Sequence, residues 1–498
     1  MILGTNLTGL ILDRATRRPE ARFGVTDAPV TLAEAVAQAR RTAAGLAAAG
    51  IAPGTRVAVV GETSTSYLLT WMALVFAGAE PALINPTYPA DLLDEMMADL
   101  EPAAVVWLHR EPDGAVAGSV PHLDASDVAA DRLVVVGGGP VAGSSGDDLP
   151  GLARRPLDVA GYMHTSGTTG VPKFCIQTHE YFLRLGRFIA DSMCLSAVDT
   201  VFAPLPMFHI NPLGYGVVGG LTGGADVLGT TRFSASGFWP LVKELGVTAM
   251  FLHAPPVEIL KRATTATDAE GHQVTRVFFA DGEFLETFRI PLGFSAYGST
   301  EAGGLCHIWT WRMGDRADIA EGMSRYGGHS RHDVHWAVLD DGEIVVRPEG
   351  DGVLFSGYRK REAVVAPVAE DGWFHTGDLG RVDAAGNLIF IERRAESIRV
   401  KGEYVPIGFV EQQFAGLDGV DDVAIWRRKS ELVDDEIVLY VVTDDVPVDA
   451  IRAVSADLPP FMRPSWVARM AALPRDTGVG KVRRRLLDDG DALELLAL

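Results

Sequence analysis

The segment 162–173 constrains the fold most strongly, because six consecutive positions in it carry only threonine, serine or glycine. A packed core would not use the run 165–170, since it offers almost nothing apolar to bury. Glycines let the backbone turn and approach a ligand closely, while hydroxyls and free N–H groups interact with negative oxygens. Lys173 adds a point charge at the end of the segment. The segment therefore predicts a loop that holds a polyphosphate, with a flexible linker as the alternative.

The composition limits the classes of partner that this chain would bind. Its 44 basic and 65 acidic side chains give a net charge of −21, so nucleic acid and anionic membranes would repel the surface as a whole. The three cysteines form no CxxC pair and suit a reducing cytoplasm. No window approaches the roughly 18 unbroken apolar residues of a membrane span. We expect a cytoplasmic protein with no nucleic-acid partner and no membrane insertion.

Short apolar runs alternate with helical patterns in the first part of the chain. The spacing of leucine and alanine predicts helices over 32–50 and 67–78. Strand-like runs lie at 57–60, 81–84, 103–107 and 133–136. This alternation is typical of α/β proteins with a largely parallel sheet. We predict the α/β class, with a large N-terminal domain of parallel-rich sheets and helices.

The pattern changes near residue 338, where short runs separated by glycine turns predict a β-rich subdomain. These runs lie at 343–347, 379–382 and 387–391. A small α+β pattern follows, with a helix at 408–414 and strands at 422–426 and 437–442. We place the domain boundary at 393–396. It separates an N-terminal domain, residues 1–393, from a small mobile C-terminal domain, residues 394–498.

Further motifs follow the loop in order along the chain. They are LPMFHI at 205–210, YGSTE at 297–301, WFHTGDL at 373–379, a segment from 392 to 406, and PRDTGVGK at 474–481. Thr300 and Glu301 could hold a Mg²⁺ ion that bridges phosphate oxygens. Asp378, after a tight turn, could take both hydroxyls of a ribose. Lys481 lies on a glycine-hinged loop.

With these motifs in this order and approximate spacing, the chain resembles the adenylate-forming superfamily. That superfamily contains acyl- and aryl-CoA ligases, peptide-synthetase adenylation domains and beetle luciferases. The resemblance extends from the Arg18-Pro19 region to Lys481 and implies an AMP-forming acid–thiol ligase. Such an enzyme uses ATP, Mg²⁺ and coenzyme A, and passes through an acyl-AMP that the thiol of coenzyme A attacks.

The resemblance implies a catalytic role for four residues. Lys481 would reach both the substrate carboxylate and the α-phosphate, and His209 matches the gate between the acyl pocket and the thiol tunnel. Glu301 would ligate Mg²⁺, and Thr165 begins the phosphate loop. The β- and γ-phosphates would be held by Thr165, Ser166, Gly167, Thr168, Thr169, Gly170 and Lys173.

The remaining implied contacts involve the nucleoside and coenzyme A. The Tyr297 ring would stack near the adenine, and Thr300 would lie near the α-phosphate. Asp378 and Arg393 would hold the ribose. The other cofactor-binding positions that the resemblance implies are Gly298, Ser299, Lys401 and Gly402. The last two match the strand that lines the thiol tunnel, where a side chain at 402 would obstruct pantetheine.

Several positions depart from the usual pattern of the superfamily. Asp281 and Glu283 stand where the adenine pocket is usually small and uncharged, and we expect them to face solvent. Phe174 replaces a common glycine, and Ala395 occupies a hinge position that is usually Asp or Lys. These departures raise the hypothesis that adenylation is weakened while thiolation is kept. A normal rate of ATP–pyrophosphate exchange with the true acid would refute it.

The sequence also bears on the acid and the acceptor. An amino-acid-activating domain would place an Asp after Phe208, but His209 follows, so an α-amino acid is disfavoured. The glycine-rich run 214–224 either widens the acyl pocket or allows close helix packing. Together with the shortened connection 285–297, it leads us to predict a bulky, mostly apolar or aromatic acid.

Two alternatives to the coenzyme A ligase stay open. One is a stand-alone adenylating enzyme that loads a carrier protein, and the acceptor thiol distinguishes it. The other is a nucleotide-binding pseudo-enzyme subunit, which the presence of both Lys481 and Glu301 argues against. A homodimer is also open, since the sequence carries no signal for the oligomeric state.

Overall fold

A computed structural model describes residues 4–498 except 27, 89, 109–121, 125–133, 137–148, 166–171, 316–321, 362, 367, 395–397, 401–402, 406, 430–434, 476–481 and 488–491. The chain divides into two compact units. The first comprises Met1–Arg316, Gly327–Trp336 and Val346–Phe374, and the second comprises Ala317–Tyr326, Ala337–Val345 and His375–Leu498. The predicted boundary at 393–396 stays a prediction, and Ala395 lies outside the described residues.

The α-helices are α1 (Leu7–Arg17), α2 (Leu32–Ala48), α3 (Thr65–Phe76), α4 (Ala90–Leu100), α5 (His179–Ser192), α6 (Gly219–Gly223), α7 (Ala235–Leu245), α8 (Ala254–Ala263), α9 (Ala266–Ala269), α10 (Gly282–Phe288), α11 (Ile407–Phe414) and α12 (Val448–Asp457). A π-helix spans Asn211–Val218. Short 3₁₀ turns occupy Pro150–Ala153, Met323–Arg325, Pro460–Met462 and Arg484–Leu487.

The strands up to residue 312 are β1 (Arg22–Val25), β2 (Val30–Thr31), β3 (Arg56–Val60), β4 (Glu80–Ile84), β5 (Ala104–Trp107), β6 (His122–Asp124), β7 (Val134–Val136), β8 (Val159–Thr165), β9 (Lys173–Thr178), β10 (Thr200–Ala203), β11 (Asp226–Gly229), β12 (Ala249–Phe251), β13 (Arg276–Phe278), β14 (Leu292–Tyr297) and β15 (His307–Arg312). The later strands are β16 (Tyr326–Ser330), β17 (Val334–Val338), β18 (Glu343–Pro348), β19 (Tyr358–Lys360), β20 (Ala363–Val365), β21 (Phe374–Val382), β22 (Leu388–Arg393), β23 (Ile398–Val400), β24 (Glu403–Val405), β25 (Asp422–Lys429), β26 (Asp435–Val442), β27 (Trp466–Met470) and β28 (Glu494–Ala497).

Several helices begin at a side chain that caps the first turn. Thr31 and Glu34 form a capping box at the start of α2, because each side chain bonds the backbone N–H of the other residue. Ser64 caps α3 and Thr178 caps α5, directly after β9. Helix α3 is largely apolar, and all of its residues except Ser66 are buried, as expected for a helix inside a large core.

The first unit contains two parallel-rich sheets. In one of them the order is β16-β15-β14-β13-β12-β10-β11-β1-β2, and the pairs from β14 to β1 are parallel. In the other the order is β20-β19-β9-β8-β4-β3-β5-β6-β7. There β8, β4, β3, β5 and β6 run parallel, while β9, β19 and β20 add antiparallel strands at one edge. This arrangement agrees with the predicted α/β class.

The second unit contains an antiparallel pair, β21 and β22, and a four-stranded sheet in the order β25-β26-β27-β28. The apolar side of this sheet packs with α11 around a core that includes Val410, Phe414, Trp426 and Leu439. The predicted helix at 408–414 and the two predicted strands that follow it are therefore confirmed. None of the helices in the described part of the chain is long and apolar enough to cross a bilayer.

Candidate functional site

Four neighbouring parallel strands of the first unit, β10, β12, β13 and β14, direct candidate site residues to one edge of a sheet. Ligands of α/β proteins bind beyond the carboxyl ends of such strands. His209 follows β10, His253 follows β12, Asp281 follows β13 and Glu301 follows β14. The topology thus gathers residues from four separate parts of the chain at the same edge.

The π-helix Asn211–Val218 begins just after His209 and is hydrogen-bonded to the segments that follow β12 and β14. π-Helices are rare and frequently occur at functional sites. Asn211 Nδ2 donates a hydrogen bond to the carbonyl oxygen of Leu252 at 3.0 Å, and the Tyr215 hydroxyl donates to the carbonyl oxygen of Gly304 at 2.9 Å. These two bonds hold the π-helix against the end of β12 and against the turn after β14.

Close packing accounts for the glycines of this region. A Cβ atom on Gly216 would lie 2.5 Å from the Ala203 side chain, and one on Gly219 would lie 2.6 Å from the Ile189 side chain. Side-chain atoms do not approach so closely in a packed interior. Of the two interpretations of the glycine-rich run, the structure therefore favours close helix packing over a widened acyl pocket.

The two ends of the predicted phosphate loop are held in an antiparallel hairpin. Thr165 ends β8, Lys173 begins β9, and the two residues are direct cross-strand partners. Phe174, the departure from the usual glycine, is fully buried in the core of this sheet. The loop residues Ser166, Gly167, Thr168, Thr169 and Gly170 lie outside the described residues, and their phosphate-binding role stays a prediction.

Glu301 is connected to Lys173 through a tyrosine that lies outside every predicted motif. The Tyr358 hydroxyl donates a hydrogen bond to Glu301 Oε1 at 3.1 Å, and Lys173 Nζ lies 4.9 Å from the centroid of the Tyr358 ring. The Tyr181 hydroxyl donates to the carbonyl oxygen of Thr300 at 2.9 Å. The structure thereby brings together two of the motifs that were predicted to hold phosphate and metal.

A buried arginine holds the turn that follows Glu301. Arg331 Nη1 donates to the carbonyl oxygens of Gly303 at 3.2 Å and Leu305 at 3.0 Å, and its Nε lies 2.8 Å from Asp333 Oδ1. Burial opposes ionisation of Asp333, but hydrogen bonds from Arg331 and Arg184 outweigh this effect and lower its pKa. The arginine is therefore neutralised locally and acts on the shape of the turn.

Tyr297, Gly298 and Ser299 form the end of β14 and the start of the same turn. The Tyr297 ring is mostly buried, and its edge meets His307 with 5.8 Å between ring centroids. A Cβ atom on Gly298 would lie 2.4 Å from the carbonyl oxygen of Gly304, so only glycine fits there. Ser299 Oγ accepts a hydrogen bond within the turn. Their predicted contacts with a nucleotide stay predictions.

His209 belongs to a cluster of aromatic rings in the first unit. The ring centroid of His164 lies 5.9 Å from that of Phe208 and 6.0 Å from that of His209. The Tyr88 hydroxyl lies 3.3 Å from His164 Nδ1. Burial, and secondarily the neighbouring His209, lowers the pKa of His164 to about 3, so its imidazole is neutral at physiological pH. No role for His164 is predicted from the sequence.

The two unexpected carboxylates near the adenine motif have a structural explanation. Asp281 Oδ1 accepts a hydrogen bond from the backbone N–H of Phe284 and caps α10. Lys261 Nζ lies 2.9 Å from Asp281 Oδ2, 2.6 Å from Glu283 Oε2 and 3.0 Å from Glu258 Oε1. Burial opposes the charge on Lys261, but its hydrogen bonds to Glu283, Asp281 and Glu258 raise its pKa. The Glu283 side chain is 70% exposed, as expected, whereas Asp281 is largely covered.

The predicted ribose-binding residues lie next to each other in the second unit. Asp378 on β21 and Arg393 on β22 are cross-strand partners, and Arg393 Nε lies 3.0 Å from Asp378 Oδ1. Asp378 is buried, so the arginine fixes the orientation of its carboxylate. The other predicted residues of the C-terminal part, Lys401, Gly402 and Lys481, lie outside the described residues.

The donor set around Glu301 fits a magnesium ion that is carried by a nucleotide. Among the residues with described positions, no group of three or more His, Cys, Asp or Glu side chains is arranged to hold a metal. Mg²⁺ seldom needs such a group, because it usually takes one or two carboxylates and completes its shell with phosphate oxygens and water. A single half-buried carboxylate connected to the phosphate-loop hairpin is consistent with that mode.

Comparison with known proteins identifies the family. Residues 12–358 match the family model described as AMP-binding enzyme, which covers well over half of the chain. The chain therefore belongs to the AMP-binding enzyme family. The predicted adenylate-forming superfamily and the α/β fold class are confirmed, as is the enzyme class, an AMP-forming acid–thiol ligase.

The most similar relatives and structures include several CoA ligases. The chain is 23% identical to a 4-coumarate–CoA ligase of Vanilla planifolia, over 95% of this chain and 91% of the relative. It is 26% identical to a long-chain-fatty-acid–CoA ligase of Mycobacterium tuberculosis, over 97% and 98% of the two chains. Its fold matches o-succinylbenzoate CoA synthetase of Bacillus subtilis in complex with its acyl-adenylate, with a TM-score of 0.83, 21% identity, and 97% and 99% coverage. It also matches ATP-bound MatB of Rhodopseudomonas palustris, with a TM-score of 0.80, 22% identity and 98% coverage of both chains.

Proposed function

We propose that this protein is an ATP-dependent acyl-CoA ligase that converts a bulky, apolar or aromatic carboxylic acid into its acyl-AMP and then into its coenzyme A thioester. The observation that carries the proposal is the connection of Glu301 to Lys173 through Tyr358. It joins the predicted metal carboxylate to the predicted phosphate loop in a chain of the AMP-binding enzyme family.

The chemistry of the first half-reaction requires such an arrangement. A carboxylate is a poor electrophile, so the enzyme must first convert it into a mixed anhydride whose leaving group is AMP. This step brings an anion up to a triphosphate, and several negative charges must be neutralised at once. Lys173 and Lys481 would supply positive charge, Glu301 would hold Mg²⁺, and Thr300 would lie near the α-phosphate. Mg²⁺ would polarise the phosphoryl oxygens.

The second half-reaction needs the thiol of coenzyme A at the same carbonyl carbon. His209 would gate its access, and Lys401 and Gly402 would line its tunnel. We propose that residues 394–498 rotate between the half-reactions, which withdraws Lys481 and brings in the tunnel strand. The carboxylates at 281 and 283 give little reason to expect weakened adenylation, because both pair with Lys261.

The class of acid is inferred from two features. No carboxylate follows Phe208 to hold a substrate ammonium, which disfavours α-amino acids. The names of the relatives include 4-coumarate and long-chain fatty acids, which are bulky and largely apolar. Incubation of the protein with ATP, Mg²⁺, coenzyme A and a panel of acids should release pyrophosphate and form thioester with aromatic or long aliphatic acids. Selective turnover of acetate would refute the acid class, and acyl transfer to a holo-carrier protein alone would refute coenzyme A as acceptor.

A lysine variant tests the division of labour between the half-reactions. Lys481→Ala should reduce ATP–pyrophosphate exchange by about 100-fold or more, because an electrostatic group at the reacting phosphate is lost. It should leave thiolysis of a supplied acyl-adenylate nearly unchanged. Lys243→Ala, which removes an exposed lysine outside every motif, is the matched control. Equal loss of both half-reactions would contradict the assignment.

A further inference from the structure

We propose that Tyr358 is a positioning residue that orients the Glu301 carboxylate and the Lys173 ammonium for binding of magnesium–ATP. The proposal rests on the proposed function and assigns a role to a residue outside the motifs that predicted it. One side chain contacts both charged groups with different parts, the hydroxyl for the carboxylate and the ring face for the ammonium.

The two contacts differ in their physical nature. The phenol hydroxyl donates to Glu301 Oε1 at 3.1 Å, and hydrogen bonds to an ionised acceptor are stronger than neutral ones. The Lys173 ammonium lies 4.9 Å from the ring centroid, within the distance at which a cation is attracted to an aromatic face. A hydrogen bond to Glu301 Oε1 limits rotation of the carboxylate. It leaves Oε2 available to bind a magnesium ion that is also bound by phosphate oxygens.

The backbone around Tyr358 is fixed by the strand that carries Lys173. Strand β19 pairs with β9, and Tyr358 lies opposite Cys175 in the antiparallel register. The N–H of Ile176 donates to the carbonyl oxygen of Gly357 at 2.9 Å, and the N–H of Ser356 donates to the carbonyl oxygen of Ile176 at 2.8 Å. The tyrosine and the lysine therefore lie on two paired strands of one sheet.

The segment 355–358, which contains Tyr358, also binds the main chain of Glu301. The N–H of Phe355 donates to the carbonyl oxygen of Glu301 at 3.1 Å, and the Phe355 ring meets the Tyr358 ring edge-on at 4.8 Å. Gly357, between them, has a φ of +128°, and a Cβ atom there would lie 2.5 Å from the carbonyl oxygen of Val365. Glycine at 357 thus permits the backbone course that presents Tyr358 to both charged groups.

The space beside this contact can accommodate a large anion. Lys173 and Tyr358 line a cleft of about 930 Å³ together with three basic residues that follow on the same strand and turn, Arg359, Lys360 and Arg361. Glu95 and Asp99 also line the cleft, so it is not uniformly basic. Binding of a polyphosphate would therefore depend more on the position of the Lys173 ammonium than on the overall charge of the cleft.

Two variants separate the contributions of the hydroxyl and the ring. Tyr358→Phe removes the bond to Glu301 and keeps the ring face for Lys173, whereas Tyr358→Leu removes both contacts. Isothermal titration calorimetry would measure the dissociation constant of ATP for each variant, with excess Mg²⁺ and with EDTA. The full-length protein is used throughout, and its circular dichroism spectrum and melting temperature report folding.

In the wild type, Mg²⁺ should lower the dissociation constant of ATP. We expect the factor by which it does so to be about tenfold smaller in Tyr358→Phe, because the net free energy of a hydrogen bond to a charged group corresponds to at least a tenfold change in affinity. Binding of metal-free ATP should change little. Tyr358→Leu should weaken metal-free ATP binding as well, because Lys173 loses its support. Thiolysis of a supplied acyl-adenylate should be unaffected in Tyr358→Phe, a result that general misfolding would not give.

Tyr326→Phe is a matched control, because it also removes a phenol–carboxylate hydrogen bond of 3.1 Å, to Asp383. It should leave the magnesium dependence as in the wild type. An unchanged magnesium effect in Tyr358→Phe would overturn the positioning role while leaving the proposed function intact. If the wild-type protein binds no ATP under either condition, both the proposed function and this inference are refuted.

Discussion

Lowering the pH should destabilise the first unit through His164, and the size of the effect follows from the surroundings of this residue. His164 is packed against Phe208 and His209, and its Nδ1 lies 3.3 Å from the Tyr88 hydroxyl. Burial, with a smaller contribution from His209, lowers its pKa in the folded protein to about 3. The unfolded chain has the ordinary histidine pKa of roughly 6.5.

The direction in which pH changes the free energy of unfolding follows from proton linkage. Below pH 6.5 the unfolded state binds a proton at His164 that the folded state does not bind, so acid favours unfolding. The contribution of neutral His164 to the free energy of unfolding is fully present above pH 6.5. It is lost progressively as the pH falls towards 3, at about 1.4 kcal/mol per pH unit. Between pH 7.5 and pH 5.0 the loss from this residue amounts to about 2 kcal/mol.

The assay compares the wild type with His164→Phe, which keeps an aromatic ring between Tyr88 and Phe208 but cannot be protonated. Urea unfolding followed by tryptophan fluorescence gives the free energy of unfolding of both proteins at pH 7.5 and pH 5.0. The wild type should lose about 2 kcal/mol more than the variant over this interval, whatever the absolute stability of the variant. Equal losses in the two proteins would refute the assignment of His164 as a buried neutral histidine.

Two further substitutions test the turn after β14 and the cap of α10. Gly298→Ala should abolish ATP binding measured by calorimetry and lower the melting temperature, because its Cβ would lie 2.4 Å from the carbonyl oxygen of Gly304; wild-type binding would contradict this. Asp281→Ala should lower the free energy of unfolding in urea by about 1 kcal/mol through loss of the helix cap and of a Lys261 contact, with ATP–pyrophosphate exchange nearly unchanged. A large loss of exchange would instead place Asp281 in the nucleotide site.

Much of the secondary structure could be predicted because its signals are local. Helix α2 occupies Leu32–Ala48, within the predicted helix at 32–50, and Thr31 and Glu34 cap its first turn. The strand β9, Lys173–Thr178, is not among the predicted strands, because its first residue belongs to the segment that is predicted as a phosphate-binding loop. From the sequence, Phe174 is only a departure from a common glycine of the superfamily, whereas its burial in the sheet gives it a packing role.

The candidate site could be predicted only in part, because motifs reveal single segments and not their contacts. Glu301 and Lys173 were identified from their motifs, yet the residue that joins them was not. Tyr358 lies 57 positions from Glu301 in sequence and reaches it through a strand pairing that no local pattern encodes. Similarly, the charges at Asp281 and Glu283 have no explanation in the local sequence, because Lys261, which pairs with both, lies on another helix.

The pairing of β9 with β19 has a consequence for the order in which the protein matures on the ribosome. A nascent chain that has emerged only as far as residue 312 contains both strands of the Thr165–Lys173 hairpin and the turn that bears Glu301. It still lacks β19, the strand that pairs with β9 and carries Tyr358. Nucleotide affinity should therefore arise late in synthesis, after Tyr358 has left the exit tunnel, which would limit unproductive ATP capture by incomplete chains.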